Sequence, residues 1–198
     1  MPVSTRISSR VAISFAAAAV AFELVASVMY SAAAGSTTGL SVEPTKLLAS
    51  GPHGASLIRW GSLIDMYGYL SIAPVVIYLR ARYATARYID LFAAAGLAVA
   101  IIGSIGAAAM ATAAPGLIND YTGASPGQRQ ALLPAFATLY RVVVLGLWQT
   151  LETIPAAAWL LGTASAARRE GPRSVFAILL VLGLVVGAIA VYRLVAAG

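Results

Sequence analysis

Five long runs of apolar residues, separated by shorter polar stretches, dominate the chain. They cover about residues 11–34, 55–79, 91–113, 139–164 and 175–191. A transmembrane α-helix needs about 20 predominantly apolar residues to cross the hydrocarbon core of a bilayer. The pattern therefore predicts an all-α, polytopic integral membrane protein with five transmembrane helices in a single domain, residues 1–198.

The fourth run is longer than one span requires. Between Arg129 and Ala167 the sequence has no turn signal, and only Pro134 and Pro155 interrupt the helical pattern. At about 1.5 Å per residue this segment exceeds the ~30 Å hydrocarbon core, yet a split at Pro155 would leave two pieces too short to span twice. We predict one kinked span, residues 139–164, preceded by a short helix that begins near residue 130.

Turn-forming residues mark the connections between the runs. Residues 35–54 and 116–128 are polar, and Pro115-Gly116 is predicted to end the third span. The N-terminal segment resembles a secretory signal peptide, since it has a basic start, an apolar stretch and small residues at its end. That apolar stretch is long for a signal peptide and contains Glu23, so we interpret it as a first transmembrane helix that is retained.

Arginine placement predicts the orientation of the spans, because cytoplasmic loops of membrane proteins carry an excess of Lys and Arg. With five spans and a cytoplasmic N-terminus, the outer connections hold only Lys46 and Arg129. We therefore predict that the N-terminus lies inside and the C-terminus outside; the alternative of six spans would place residues 168–173 outside. Eight of the thirteen basic residues lie inside in the five-span arrangement: Arg6, Arg10, Arg80, Arg82, Arg87, Arg168, Arg169 and Arg173.

Composition narrows the classes of function. The chain is 10% charged, against about a quarter in soluble domains, and its net charge of +6 comes from loop arginines that meet anionic lipid headgroups. We therefore expect membrane lipids, and no nucleic acid, as partners.

The absence of Cys excludes disulfides and thiolate metal sites. The single histidine, His53, and the single lysine, Lys46, lie in a loop, so we expect no metal and no haem or Schiff-base cofactor within a span.

Charged residues interrupt the apolar runs at Glu23, Arg59, Asp65, Arg141 and Glu152. Such residues are rare in spans and usually face a protein interior or a water-filled cavity. Counted from the nearest cytoplasmic arginine, the three carboxylates lie at a similar depth, about 20–24 Å. We predict that they converge into one binding cluster, with the two arginines nearer the outer surface. The candidate site also includes three polar or aromatic neighbours, namely Tyr69, Trp148 and Gln149.

Two interpretations of this cluster remain open. In the structural one, Arg59 and Arg141 neutralise two carboxylates, and Tyr30, Tyr69 and Gln149 satisfy the remainder, because buried charges are usually paired. In the functional one, three carboxylates against two arginines leave one negative charge that could hold a proton, a cation or a cationic ligand.

The last span contains Gly183-x-x-x-Gly187, a spacing of small residues that lets two helices approach closely. This spacing is compatible with a homo-oligomer and with packing inside one chain. Motifs of phosphate-binding loops, zinc proteases and serine hydrolases are absent from the sequence. We therefore expect no enzymatic activity.

The second span carries a resemblance to known proteins. It contains Ile58-Arg59-Trp60-Gly61-Ser62-Leu63-Ile64-Asp65 and ends in Leu79-Arg80. The span therefore has an arginine and an acidic residue near its beginning and an arginine at its end. This arrangement resembles an element of a family of small multi-pass bacterial inner-membrane proteins of unknown function. The resemblance implies a location in the bacterial cytoplasmic membrane and six spans, and it implies no activity.

Two functions fit these observations. The first is a non-catalytic accessory or interaction subunit of a membrane assembly, for which replacing the three carboxylates by Gln should change mainly stability. The alternative is a small transporter or a ligand- or ion-binding protein that uses the carboxylate–arginine cluster, for which the same replacements should abolish pH- or ligand-dependent behaviour. Inverted repeats, which many transporters contain, are not evident in the sequence.

Overall fold

A computed structural model describes residues 8–35 and 43–196 of the chain, and all regular structure in them is helical. Five helical stretches are long and apolar enough to cross a membrane, which confirms the predicted all-α class and the number of candidate spans. The helices are α1 (Ser9–Ala33), α2 (Pro44–Leu48), α3 (Gly51–Arg82), α4 (Ile89–Gly123), α5 (Pro126–Tyr140), a π-helical segment (Arg141–Leu151), α6 (Thr153–Glu170) and α7 (Arg173–Ala196).

The third span is longer than the sequence predicted. Helix α4 continues through Pro115 to Gly123, and the connection predicted at residues 116–128 is reduced to Ala124 and Ser125. A proline removes one main-chain hydrogen bond from a helix. In a membrane helix the freed carbonyl can be satisfied by local adjustment of the adjacent turns, so the helix continues past the proline. Helix α5 then begins directly at Pro126, where the main-chain N–H of Ser125 donates to the Gln128 side chain at 2.9 Å.

The fourth span contains a feature that the sequence did not predict. Helix α5, the π segment and α6 follow one another as a single 45-residue stretch, Pro126–Glu170, which contains both the short helix predicted from about residue 130 and the span predicted at residues 139–164. The π segment, Arg141–Leu151, has 11 residues, whereas π-helices usually form only single turns and occur frequently at functional sites. Where it ends, the Thr153 hydroxyl donates to the carbonyl of Thr150 at 2.9 Å.

The described residues form two compact units. The first unit comprises residues 8–19, 69–102 and 148–196, and the second comprises residues 20–35, 43–68 and 103–147. The single domain predicted for residues 1–198 stays a prediction. Residues 1–7, 36–42 and 197–198, which include the predicted cytoplasmic Arg6, lie outside the described residues.

In the first unit, glycines bring α4, α6 and α7 into close contact. A Cβ atom added at Gly162 would overlap the ring of Phe92 on α4, and one added at Gly183 would lie 2.8 Å from the Leu161 side chain on α6. At Gly187 the nearest atom would be the Cβ of Ala157, at 3.7 Å. The glycine pair of the last span therefore packs α7 against α6 inside this chain. A homo-oligomer through Gly183 and Gly187 stays a prediction that these contacts do not support.

The α3–α4 and α6–α7 connections of the first unit are also joined. Tyr83, which is 2% exposed, packs with Ile89, Ala166 and Ala167 in a small apolar core. A hydrogen bond also joins the two connections, in which the Thr85 hydroxyl donates to the Glu170 carboxylate at 2.6 Å. The ends of α3, α4, α6 and α7 that belong to these connections are therefore held together.

Raising the pH above about 10 is expected to destabilise this core. Burial raises the pKa of the Tyr83 phenol above its ordinary value of 10.0, and the tyrosines of the unfolded chain ionise first as the pH rises. The stability that comes from Tyr83 is therefore complete below pH ~10 and is lost as the pH rises toward the folded-state pKa. Thermal unfolding in detergent between about pH 9 and 11 should show a smaller loss for Tyr83→Phe than for the wild type. The exposed Tyr88→Phe is the control; equal losses for both variants would contradict the prediction.

The second unit has two interfaces. Helix α1 lies close to α3 at Gly61. A Cβ added at this glycine would lie 3.2 Å from the Cβ of Met29. The short helix α2 packs on α5, where Leu48 and Phe136 are each 1% exposed. Helix α2 lies within the connection that the sequence predicted as an irregular polar loop.

Candidate functional site

A polar group lies in the α1–α3 interface of the second unit. Asp65 on α3 is 4% exposed and Ser62 is fully buried. The hydroxyl groups of Ser62 and Tyr30 form a hydrogen bond of 2.7 Å. The charge of Asp65 and, more weakly, that of Glu23 act on the Tyr30 phenol. We call Glu23, Tyr30, Ser62 and Asp65 the Tyr30 cluster.

The local sequence explains why these side chains meet. Gly61 allows α1 and α3 to come close, and Ser62 follows it with a side chain small enough to fit between them. Residues three and four apart share a helix face, which places Ser62 and Asp65 on one side of α3. A hydroxyl or carboxylate buried in an apolar interface is stabilised when a hydrogen bond or a charge meets it. The Tyr30 cluster therefore connects α1 to α3 by polar as well as apolar contacts.

The two carboxylates of the Tyr30 cluster differ in exposure. Asp65 is buried, whereas Glu23 is exposed on α1. Glu23 lies about 15 Å along the helix axis from Ala33 and about 21 Å from Ser9, the two ends of α1. It therefore occupies the middle of a helix that is long and apolar enough to cross a membrane.

The arginines of the predicted cluster do not neutralise these carboxylates. Arg59 on α3 and Arg141 at the start of the π segment are both exposed. Within the described residues of the second unit, neither guanidinium has a carboxylate within ion-pair distance. These two arginines therefore form no ion pair with Glu23 or Asp65. Their pairing with Glu152 stays a prediction.

The remaining predicted site residues belong to the first unit. Trp148 and Gln149 lie in the π segment, Glu152 follows it directly, and all three are half-buried. The Oε1 atom of Gln149 is buried without a hydrogen-bond partner among the described residues. Tyr69, on α3, is also half-buried. The convergence of all three carboxylates at one depth stays a prediction.

The Tyr30 cluster offers groups that can hold charge and protons. Its carboxylates and hydroxyls could accept a proton or a hydrogen-bonding group. Within the described ranges, no group of three His, Asp or Glu side chains is arranged to hold a metal ion. Sequence reasoning found both carboxylates from their place in apolar runs, but the exposure of Glu23 required the structure.

Comparison of the chain with models of protein families, with curated proteins and with solved structures found no match.

Proposed function

We propose that the protein is a non-catalytic integral membrane subunit that binds a second membrane-embedded chain through α1. The observation that carries the proposal is the exposed carboxylate of Glu23 in the middle of α1. A charged side chain at the centre of a bilayer costs a few kcal/mol or more unless it faces protein or water. A partner helix that donates a hydrogen bond or a positive charge would remove that cost.

Side-chain length separates Glu23 from the exposed arginines. The stem of an arginine can lie along apolar surface while its guanidinium reaches the headgroup region. Arg59 begins only about 12 Å from the start of α3, so such a path is open to it. A glutamate is too short to reach headgroups from the middle of a span, so we propose that a partner chain supplies the hydrogen bonds to its exposed carboxylate.

The low burial of α1 supports the same proposal. In the 18-residue apolar window of α1, 11% of the residues are buried, the same share as in the window of Pro126–Glu170 and less than the 39% in α4. Of these two little-buried stretches, α1 is the one that carries an exposed carboxylate at its middle. Lipid alone could cover the apolar part of this surface, but it offers no donor to Glu23. The surface proposed for the partner is therefore the face of α1 that carries Glu23.

We also propose a location and an orientation for the protein. We place the protein in the bacterial cytoplasmic membrane, with the N-terminus inside and the C-terminus outside. The arginines at residues 80–87 and 168–173 flank the ends of four candidate spans, and their excess over Lys46 and Arg129 supports this orientation. Because the chain has no Cys, single cysteines at Ala84 and Ala124 can be labelled with a membrane-impermeant reagent to test it. Labelling of residue 124 and protection of residue 84 in intact cells are expected.

Native mass spectrometry of the protein, extracted gently from its own membrane, tests the partner. The wild type should appear in a reproducible larger assembly, and Glu23→Leu should release the chain as a folded monomer, because this variant keeps the Tyr30–Ser62 hydrogen bond between α1 and α3. The control is Val25→Leu, an exposed position that lies about 160° around α1 from Glu23. This variant should keep the assembly.

Two results would contradict the proposed subunit. One is a wild-type chain that is always recovered as a bare monomer. The other is an assembly that Glu23→Leu leaves as stable as the wild-type assembly. Glu23→Gln separates charge from hydrogen bonding: a partner that only donates hydrogen bonds should tolerate it, whereas a cationic partner should be lost.

A second candidate function is a small transporter or a ligand- or ion-binding protein. The observation that favours it is the burial of Asp65 next to Tyr30 and Ser62, since buried carboxylates within spans occur on ion and proton pathways. The same mass spectra distinguish this candidate. A monomer or dimer that carries a bound small mass, lost on Asp65→Asn while the fold survives, would favour ligand binding over the subunit.

A further inference from the structure

The first unit contains a cavity of about 720 Å³ that the proposed subunit does not use. It lies where the α3–α4 connection meets the end of α6 and the start of α7. Arg87 comes from the first of these elements, and Arg168 and Arg169 come from the second. Pockets that bind small molecules usually have volumes of about 300–1,000 Å³, so this cavity is large enough for a ligand headgroup.

The three arginines of the cavity are not neutralised by the chain. Among residues 8–35 and 43–196, none of Arg87, Arg168 and Arg169 has a carboxylate within ion-pair distance. Arg87 lies over the ring of Tyr88, with its guanidinium carbon 4.6 Å from the ring centroid, a contact that leaves its charge unpaired.

The acidic residues nearby have other partners. Asp90 accepts a hydrogen bond of 2.6 Å from the Nε atom of Arg80, with which it forms an ion pair. Glu170 accepts from the Thr85 hydroxyl at 2.6 Å. The chain thus provides three positive charges at one cavity, while the carboxylates closest in sequence contact groups outside it.

The inner wall of the cavity is apolar. It is formed by Phe92 on α4, Leu161 on α6, and Phe176 and Leu180 on α7. These residues belong to helices that are long and apolar enough to cross a membrane, while the arginines lie at or beyond the helix ends. The cavity therefore combines arginines at or beyond helix ends with an apolar wall suited to hydrocarbon.

We propose that this cavity binds an acidic phospholipid. Arg87, Arg168 and Arg169 would hold the phosphate group, since arginine donates two parallel hydrogen bonds to phosphate oxygens. The first part of an acyl chain would lie against Phe92 and Leu161. Basic pockets between transmembrane helices are suited to acidic lipid headgroups. A free phosphate ion shares the headgroup chemistry, but it makes no use of the apolar wall, which is why the lipid is favoured.

An adjoining cavity of about 550 Å³ extends the same surface. It shares Arg168 and Phe176 with the first cavity and adds Arg173 at the start of α7. The acidic headgroup can therefore meet positive charge on both sides of Arg168.

Lipid retention by the purified full-length protein tests the site. Native mass spectrometry after incubation with equal amounts of phosphatidylglycerol and phosphatidylcholine should show preferential retention of phosphatidylglycerol. At about 1 kcal/mol per basic residue near a membrane surface, Arg168→Gln combined with Arg169→Gln should lower that retention by about tenfold or more. The matched control combines Arg10→Gln with Arg82→Gln, which removes the same charge on the same predicted side of the membrane from positions that line neither cavity, and it should keep the preference.

Two further arms separate a lipid from free phosphate. Ser165→Trp fills the cavity from an exposed lining position without changing its charge, and it should reduce phosphatidylglycerol retention. Excess inorganic phosphate should not displace the lipid. Equal retention of the two lipids by the wild type, an equal loss in the control variant, or displacement by phosphate would each overturn the proposal. Retention that Ser165→Trp leaves unchanged would also overturn it, because the apolar wall would then play no part.

Discussion

Replacing Gly162 by Ala is expected to lower the stability of the protein. The added Cβ would overlap the ring of Phe92, because α4 lies directly against α6 at this glycine. Gly162 is buried, so the half-buried ring of Phe92, which also lines the cavity described above, has to shift. Overpacking of this kind usually costs about 1–3 kcal/mol. Alanine also raises helix propensity by up to about 1 kcal/mol, which offsets part of that cost.

Gly187→Ala serves as the control, because it gains the same helix propensity as Gly162→Ala and the two gains cancel when the variants are compared. At Gly187 the added Cβ would lie 3.7 Å from Ala157, which is ordinary contact, so this variant should be neutral or slightly stabilised. The free energies of unfolding of the two variants in mixed micelles should differ by about 1–3 kcal/mol. Adding Phe92→Ala to the Gly162→Ala variant removes the ring that the new Cβ would overlap, so it should restore part of the lost free energy of unfolding. Equal free energies of unfolding for the two glycine variants would show that α4 and α6 do not pack through Gly162.

Replacing Ser62 by Leu is expected to separate α1 from α3. Ser62 is fully buried in their interface, and its hydroxyl forms the 2.7 Å hydrogen bond with Tyr30. A leucine is bulkier and offers no hydrogen bond, while Gly61 beside it already brings Met29 to within close contact. Overpacking and the lost hydrogen bond should together lower the free energy of unfolding by about 2–4 kcal/mol.

Two variants show which part of that loss is steric. Ser62→Ala removes the hydrogen bond without adding volume and should cost only about 1 kcal/mol. Ser56→Leu makes the same change as Ser62→Leu at an exposed position of α3 and should stay within about 0.5 kcal/mol of the wild type. Thermal unfolding in detergent measures all three. If Ser62→Leu were as stable as Ser56→Leu, the close approach of α1 and α3 at this residue would be wrong.

Side-chain length and position along α1 make Glu23 the residue most informative about function. A carboxylate at mid-span can be matched by the chain itself, by water or by a partner. In the structure Glu23 is exposed, and its charge acts only weakly on Tyr30. The proposed partner and the proposed phospholipid use different residues in different units, so either can fail without affecting the other.

The sequence by itself determined the class of protein and the number of candidate spans. The thickness of a bilayer sets the length of an apolar run, and such a run is visible without knowing what it packs against. Helix ends were less predictable. Pro115 was expected to end α4, but a proline in a membrane helix can be accommodated by the turns around it. The π segment could not be predicted, because the residue types from Arg141 to Leu151 are equally compatible with an α-helix and a π-helix.

Only the tertiary structure decided which way the charged residues face and which of them meet. Lipid is as apolar as the interior of a helix bundle, so the pattern of polar residues does not reveal which side of a membrane helix contacts protein. Asp65 and Glu23 look alike in the sequence, yet one is buried and the other is exposed. The cavity of Arg87, Arg168 and Arg169 likewise depends on contacts between residues distant in the sequence, such as that between Phe92 and Gly162. Local sequence sets the length of a membrane helix, whereas its facing depends on contacts that form only when the helices assemble.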